Sequence, residues 1–471
     1  MPHNHVLKKY FNMKKFLIFI FTGLLSSQGL IFSQQKEWSL EDCIRYSIEN
    51  NIQIKQQVIQ TEFQKNSVDL AKLNLLPTIN GSASHNYSFG RALDQTTYQY
   101  TNHKNSQSNN FYFGGSLNLF NGLQNYNTIK KTQYELLAGE QDLQNIKDNI
   151  AMSVALDYLQ ILLNKELVTA TGNQLQITLQ QIEKTRKMVD AGSVARGNLL
   201  QIESQAAQEE VQLINMKNQL DLSYLNITQL LELQTPVGFE IVVPEISIDT
   251  NAIISGNIDE IFSVAQGSRP EVKSSELKLT ASEYNLKISR GERSPHISMN
   301  NSFSTGYSNI REKILGIDPV TSLPITDKYP FAEQVNDNIN WGIGFTMNIP
   351  ILNGWQVNKN ISNSKLSIQS SRYTLEGTKK QLYKTIQQAY TDAVAALKKY
   401  NASMKAVTYS EESFRYTEQK FNVGMVTPVD YNAGKTQLLN AQSDLSQAKY
   451  EYIFKTKVLD FYKGIPLNLN K

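Results

Sequence analysis

Polar and apolar positions alternate in two rhythms along this chain. In "TINGSASHNYSF" (78–89) every even position is Thr, Asn or Ser, while the odd positions read Ile79, Gly81, Ala83, His85, Tyr87 and Phe89. The period of two is clearer in "NINWGIGFTMNI" (338–349), where Ile339, Trp341, Ile343, Phe345, Met347 and Ile349 share one face and Asn, Gly and Thr the other. Such alternation predicts β-strands, because successive side chains leave opposite faces. The segments 109–120 and 296–308 follow it more loosely. Elsewhere the apolar positions step by three and four. From Leu199 the steps land on Ile202, Ala206, Glu209, Leu213, Met216, Leu220, Ser223, Ile227 and Leu230, eight of ten apolar, which is the seam of a coiled coil. A second seam runs from Tyr431 through Leu438, Ala441, Leu445, Ala448 and Tyr452.

The two rhythms recur in duplicate. "LEDCIRYSIENNIQI" (40–54) matches "IDEIFSVAQGSRPEV" (258–272) at an offset of 218, which also carries Pro77 onto Pro295. Further on, "LFNG" (119–122) matches "ILNG" (351–354), and "DAGSV" (190–194) matches "NVGMV" (422–426), both at an offset of 232. The second half has therefore gained 14 residues between its two strand patterns, and none afterwards. Each half is expected to run as an amphipathic helix (about 40–74, then 258–292), two strands (about 77–90 and 109–121, then 295–308 and 338–351), a long helix (about 123–189, then 355–421), a glycine turn, and a return helix (about 198–233, then 430–463). These units fill a first repeat, 34–233, and a second, 258–471, joined by a linker at 234–257. No proline lies between Pro77 and Pro236 or between Pro350 and Pro428, so nothing breaks the long helices. At about 1.5 Å per residue each reaches roughly 100 Å. Two half-length helices placed end to end would run alongside one long one, an arrangement that suits a packed cylinder.

Charge bears mainly on the strands. Between Leu76 and Gly122 only Arg91, Asp94 and Lys104 are charged, all in the loop between strands. Strands of this length can cross a bilayer when tilted, with one face to lipid and one to water. A soluble sheet with a buried face would explain the alternation, but accounts less well for the lack of charge on the other face and for aromatics near the strand ends. Four strands cannot close a barrel and lipid does not tolerate an open sheet edge, so the chain is expected to oligomerise, with two or three copies meeting the need.

Composition mostly excludes. The formal charge is +3 and no Lys/Arg cluster marks a nucleic-acid surface. Residues 13–32, "MKKFLIFIFTGLLSSQGLIF", have the layout of a secretory signal, so 1–33 is read as a removed leader with Met13 as the start. Its loss would leave 42 basic against 43 acidic residues, a balance of −1. The one cysteine, Cys43, has no intrachain partner and is expected to be a half-buried helix residue. His85, His103 and His296 make no metal-ligand spacing, and neither a phosphate-binding loop nor a nucleophile constellation is present; no enzyme activity, metal or cofactor is expected.

With its duplicated units, "LFNG" and "ILNG" at the strand-to-helix handover and "DAGSV" and "NVGMV" at the tips, the chain resembles the TolC family of outer-membrane efflux channels. "FGRALDQTTYQY" (89–100) is similar to the variant found in Bacteroidetes members. The resemblance implies a mostly α fold with a membrane β-barrel part: a homotrimer whose twelve-stranded barrel, embedded in outer-membrane lipid, continues as a periplasmic α-helical barrel. The linker would form a belt around its middle. It further implies a passive exit duct, in tripartite efflux or type I secretion, for substrates delivered by an inner-membrane RND or ABC transporter through a periplasmic adaptor (membrane fusion) protein. The alternatives are a periplasmic adaptor, which typically has one long hairpin rather than two, and a soluble structural coiled coil.

At the tips, Thr427 fits a helix N-cap with Pro428 at the first position and Asp430 as the capping acid. Asp430 also matches the family's entrance aspartate. A ring of such carboxylates would attract cations, and Asn198, the repeat equivalent, would add a neutral layer. Ala191, Gly192, Ser193 and Val194, with Val423, Gly424, Met425 and Val426, form small or apolar tips expected to be exposed and to contact the adaptor. The family's second acid falls on Ala433, and the Tyr and Arg that tie the tips shut fall on Phe421 and Val426, so the polar lock is not carried over.

Overall fold

The computed structural model describes residues 37–91, 93, 100, 105–244, 257–320, 322 and 324–468. The leader and part of the linker (245–256) lie outside the described residues, as do Asp94 and Lys104.

The first half comprises β1 (Glu37–Trp38), α1 (Leu40–Asn50), α2 (Ile52–Leu73), β2 (Thr78–Ser88), β3 (Ser106–Asn121), α3 (Gln124–Asp190) and α4 (Arg196–Leu230), followed by β4 (Glu240–Ile241). The second comprises α5 (Ile258–Ser268), α6 (Pro270–Gly291), β5 (His296–Ser308), β6 (Glu312–Ile317), β7 (Pro324–Lys328), α7 (Phe331–Asp337), β8 (Asn340–Asn348), α8 (Gln356–Asn422) and α9 (Pro428–Tyr462). Both long helices have 67 residues and both return helices 35.

The first helix of each half differs from the single amphipathic helix expected at 40–74 and 258–292: it is broken once, at Asn51 and at Arg269, which are repeat equivalents. Both residues leave the helical region, with ψ of 131° and 130°. Pro270 explains the second break, since it disfavours a helical residue before it. Asn51 achieves the first with its side chain, accepting from Gln53 N at 2.9 Å and donating to Leu230 O at 3.0 Å. Both breaks meet the end of a return helix. Leu230 ends α4, while the Arg269 guanidinium lies over the ring of Phe461 near the end of α9 and pairs with Asp148 on α3 at 3.1 Å.

Helices lie side by side as a wall. Near the strands the order is α2, α3, α6, α8; toward the tips it is α4, α3, α9, α8. Polar contacts stitch neighbours together. Lys278 on α6 reaches Asp142 on α3 at 2.8 Å, Ser289 meets Ser364 across α6 and α8 at 2.9 Å, and Ser446 on α9 donates to Glu166 on α3 at 2.7 Å. All ten seam positions from Leu199 to Leu230 are buried or half-buried.

Apolar cores gather at mid-height. One holds Cys43, Tyr158, Leu162, Ile227 and Phe239, and the other Ile261, Val272, Ile386 and Leu459. Cys43 is fully buried rather than half-buried, because α1 lies against α3 and the segment around Phe239 packs into the same core. There β1 pairs in parallel with β4, and Tyr158 donates to Val242 O at 2.6 Å. Glu240 of β4 accepts from Lys165 and Tyr224, both at 3.0 Å. Burial alone would raise its carboxyl pKa, but these two donors outweigh burial and hold it below 4.5. The contact therefore stabilises the fold above pH 4.5 and fades as pH falls through the depressed value. Glu240→Gln is expected to flatten the acid limb of a thermal-stability profile without changing its alkaline limb.

Candidate functional site

The strands form one antiparallel sheet in the order β2-β3-β5-β8. Its register lines up what the sequence alternates. Gly81 stands opposite Phe113, Phe113 opposite Phe303, and Phe303 opposite Trp341; two rows on, Leu117, Met299 and Phe345 align. Directly opposed residues share a face, so the apolar positions of four strands merge into one apolar surface. The other face carries rows such as Asn118, Ser298 and Thr346. The apolar surface is open, with Trp341 73% and Phe345 70% exposed. Among the described residues, β2 and β8 each pair with a single strand, leaving both sheet edges available.

The connection between β5 and β8, longer by the 14 residues gained, is not a featureless loop. It carries the β6–β7 hairpin and α7, a feature that Gly316 and the short apolar steps at 314–317 signal only weakly.

At the opposite end, α3 and α8 turn into their return helices through matching motifs. Gly192 and Gly424 adopt φ of 74° and 76°. Ser193 N donates to Met188 O at 2.9 Å and Gly192 N to Val189 O at 2.9 Å; Met425 N and Gly424 N do the same with Lys420 O at 2.9 Å and Phe421 O at 3.0 Å. This is the Schellman pattern, which satisfies the last helical carbonyls and requires a left-handed residue that glycine adopts without strain. Thr427 caps α9: its hydroxyl accepts from Asp430 N at 3.2 Å, and the Asp430 carboxylate accepts from Thr427 N at 3.3 Å.

Asp430 and Asn198 line one cleft of about 720 Å³ between the two hairpin ends. Asp430 is exposed and Asn198 half-buried. Of the tip residues, Ala191, Gly192, Ser193, Val423, Gly424 and Met425 are exposed, Met425 at 77%. Val194 and Val426 are half-buried rather than fully exposed, and both line the cleft.

Behind the second tip, packing is aromatic. Phe421 lies against Tyr431 with ring centroids 4.6 Å apart, and Phe414 follows at 5.2 Å. One turn along α9 sits a polar cluster that the seam reading passed over. Lys435 and Glu209 have side chains only 4% exposed and approach to 3.7 Å. Lys435 donates to Gln174 O at 3.0 Å and to the Thr178 hydroxyl; Thr178 in turn donates to Glu209, which also accepts from Gln205 at 3.1 Å. Burial pulls the Lys435 ammonium below its usual range, and Glu209 opposes that pull. The cluster joins α3 and α4 of the first hairpin to α9 of the second. Glu209 was its signal: an acid in a seam needs a cation or a donor set.

Comparison with known proteins fits this geometry. The model for the outer membrane efflux protein family matches residues 44–232 and 261–459, one stretch in each half. A curated Haemophilus influenzae protein, itself uncharacterized, is 23% identical over 328 residues, covering 65% of this chain and 65%, just under two thirds, of its own length. Among solved structures, CusC superposes with a TM-score of 0.75 at 16% identity, covering 91% of this chain and 92% of its own. The outer membrane protein VceC of Vibrio cholerae gives 0.73 at 15% identity, covering 91% and 97%. The open-state MtrE outer membrane channel of Neisseria gonorrhoeae gives 0.71 at 16%, covering 92% and 90%. With both halves matched by the family model and the whole architecture shared with these channels, the chain belongs to the outer membrane efflux protein family.

Proposed function

We propose that three copies of this chain close into a twelve-stranded barrel across the outer membrane, continued by a helical tunnel through the periplasm. The assembly acts as a passive exit duct. Substrates reach it from an inner-membrane transporter of the RND or ABC class, through a periplasmic adaptor that grips the helix tips.

The observation that carries this reading is the sheet: a lipid-compatible face on all four strands, a polar face behind it, and two free edges that only another copy can satisfy in a bilayer. The helical wall supports it. Its edge helices expose apolar side chains, Ile59 and Phe63 on α2 and Leu366 and Tyr373 on α8, as expected of surfaces that meet in a closed cylinder. Native mass spectrometry of detergent-extracted protein should give three chains per particle, and planar bilayers should show discrete conductance steps. A monodisperse monomer without conductance would remove the proposal.

Asp430 would place three carboxylates around the tunnel axis near the periplasmic mouth. Asp430→Asn is expected to weaken cation preference and block by divalent metal in planar-bilayer recordings. The amide can still accept from Thr427 N, so the thermal midpoint should move little. Unchanged selectivity would leave Asp430 as a helix cap only.

The exposed turns at Ser193 and Met425 would be the adaptor's contacts. Ser193→Glu together with Met425→Glu should reduce co-purification of the adaptor and export in cells, while conductance of the isolated channel stays as before. Intact adaptor association in the double variant would move the docking surface elsewhere.

A further inference from the structure

The insertion in the second half sits on one side of the sheet. The Phe331 ring of α7 meets Tyr307 at 5.1 Å and Phe111 at 6.5 Å between centroids, and the Thr305 hydroxyl donates to Val335 O at 2.5 Å. Phe111, Thr305 and Tyr307 all belong to the odd-numbered, apolar face, at the end of the strands remote from the helices. Gln334 locks α7 there, fully buried, accepting from Ser308 N and donating to Ser308 O, both at 3.0 Å.

The β6–β7 hairpin is tied to this helix at its base. Lys313 pairs with Glu333 at 2.7 Å, and the Arg311 guanidinium lies 5.7 Å from the Tyr329 ring centre. Most of the charges lie at that base, where Glu312 stands opposite Lys328 and Lys313 opposite Asp327 in the ladder; Asp318 lies in the turn, its carboxylate accepting from Val320 N at 2.9 Å. The far part is apolar and open: Ile314, Leu315, Ile317 and Ile325 are exposed, and Val320 is 90% exposed.

We infer that the β6–β7 hairpin and α7 form an interfacial foot that rests in the acyl-chain boundary of the outer leaflet, beside the barrel rather than over its mouth. This rests on the barrel reading above, because the apolar surface under α7 is the barrel's lipid-facing surface. The occupant follows from continuity: the exposed isoleucines and Leu315 extend an apolar surface that already requires lipid. Acids outnumber bases around the hairpin, with Glu312, Asp318, Asp327, Glu333 and Asp337 against Arg311, Lys313 and Lys328. Acyl chains are therefore the fitting partner rather than anionic head groups.

Nitroxide labels test this. Cysteines are placed singly at Ile317, Leu315, Phe345 and Met425 of the full chain, whose native Cys43 is buried, and the protein is reconstituted in palmitoyl-oleoyl phosphatidylcholine vesicles. Collision with oxygen, which concentrates in bilayers, is compared with collision with a water-soluble nickel chelate. Labels at Ile317 and Leu315 should show an oxygen-to-nickel ratio several-fold above that at Met425. A lipid-like ratio at Phe345 with a water-like one at both hairpin sites overturns the foot and leaves the barrel standing. Low collision with both reagents at the hairpin also overturns it, since a protein neighbour would then cover the surface. A water-like ratio at Phe345 removes the barrel reading, and the foot with it.

Discussion

Lys435→Met is expected to destabilise the assembled protein by about 3 to 5 kcal/mol per chain, because it leaves the Glu209 carboxylate in a site without its cation. Neither side chain reaches water to any useful extent, with 4% exposure each. The loss goes beyond the pair. Lys435 also satisfies Gln174 O, which would be left without that donor. Combining Lys435→Met with Glu209→Leu should recover most of the stability, since two apolar side chains strand no charge. Thermal unfolding of the detergent-solubilised protein separates the two variants. A single variant as stable as the parent would mean that water reaches the cluster.

Gly122→Ala should prevent assembly, whereas Gly354→Ala at the equivalent position should cost only about 1 to 2 kcal/mol. Both glycines hold left-handed backbone, at φ of 67° and 60°, followed by a second left-handed residue, Leu123 or Trp355. They differ in surroundings. A Cβ on Gly122 would stand 2.3 Å from Gly291 O and 2.7 Å from the Ser294 Cβ, whereas one on Gly354 meets nothing within 4 Å. Backbone cannot yield as a flexible side chain does, so the clash falls where α6 passes into β5 beside the start of α3. Heat-sensitive gel mobility of membrane fractions should show the oligomer for Gly354→Ala and its absence for Gly122→Ala.

Much of this architecture was legible because duplication tested each pattern twice. Gly192 and Gly424 marked the turns, the odd-numbered residues of 339–349 marked the apolar face, and Thr427 with Asp430 marked a cap. What escaped depended on tertiary partners. The local cap from Asn51 to Gln53 N is weak as a signal in "IENNIQI", and the bond that anchors the break runs to Leu230 O, 179 residues away. The sequence around Lys435 carries no mark of its burial, which arises because α3 and α4 pack against α9 there. The burial of Gln334 against the end of β5 has no periodic signature, because a seven-residue helix is too short to display one. At the tips, Asp430 was legible as a cap from spacing alone, but its place in a shared cleft with Asn198 required both hairpins.

The equality of the two halves has a mechanical consequence. Their long helices match residue for residue at 67, their return helices at 35, while the whole length difference sits between strands. A helix adds about 1.5 Å and 100° of rotation per residue. Seven residues inserted into α8 alone would drop its turn about 10 Å below that of α3. The pair behaves as a matched gauge that keeps both ends level, so tolerance for change is confined to the strand loops, and any lengthening of the duct has to occur in both halves together.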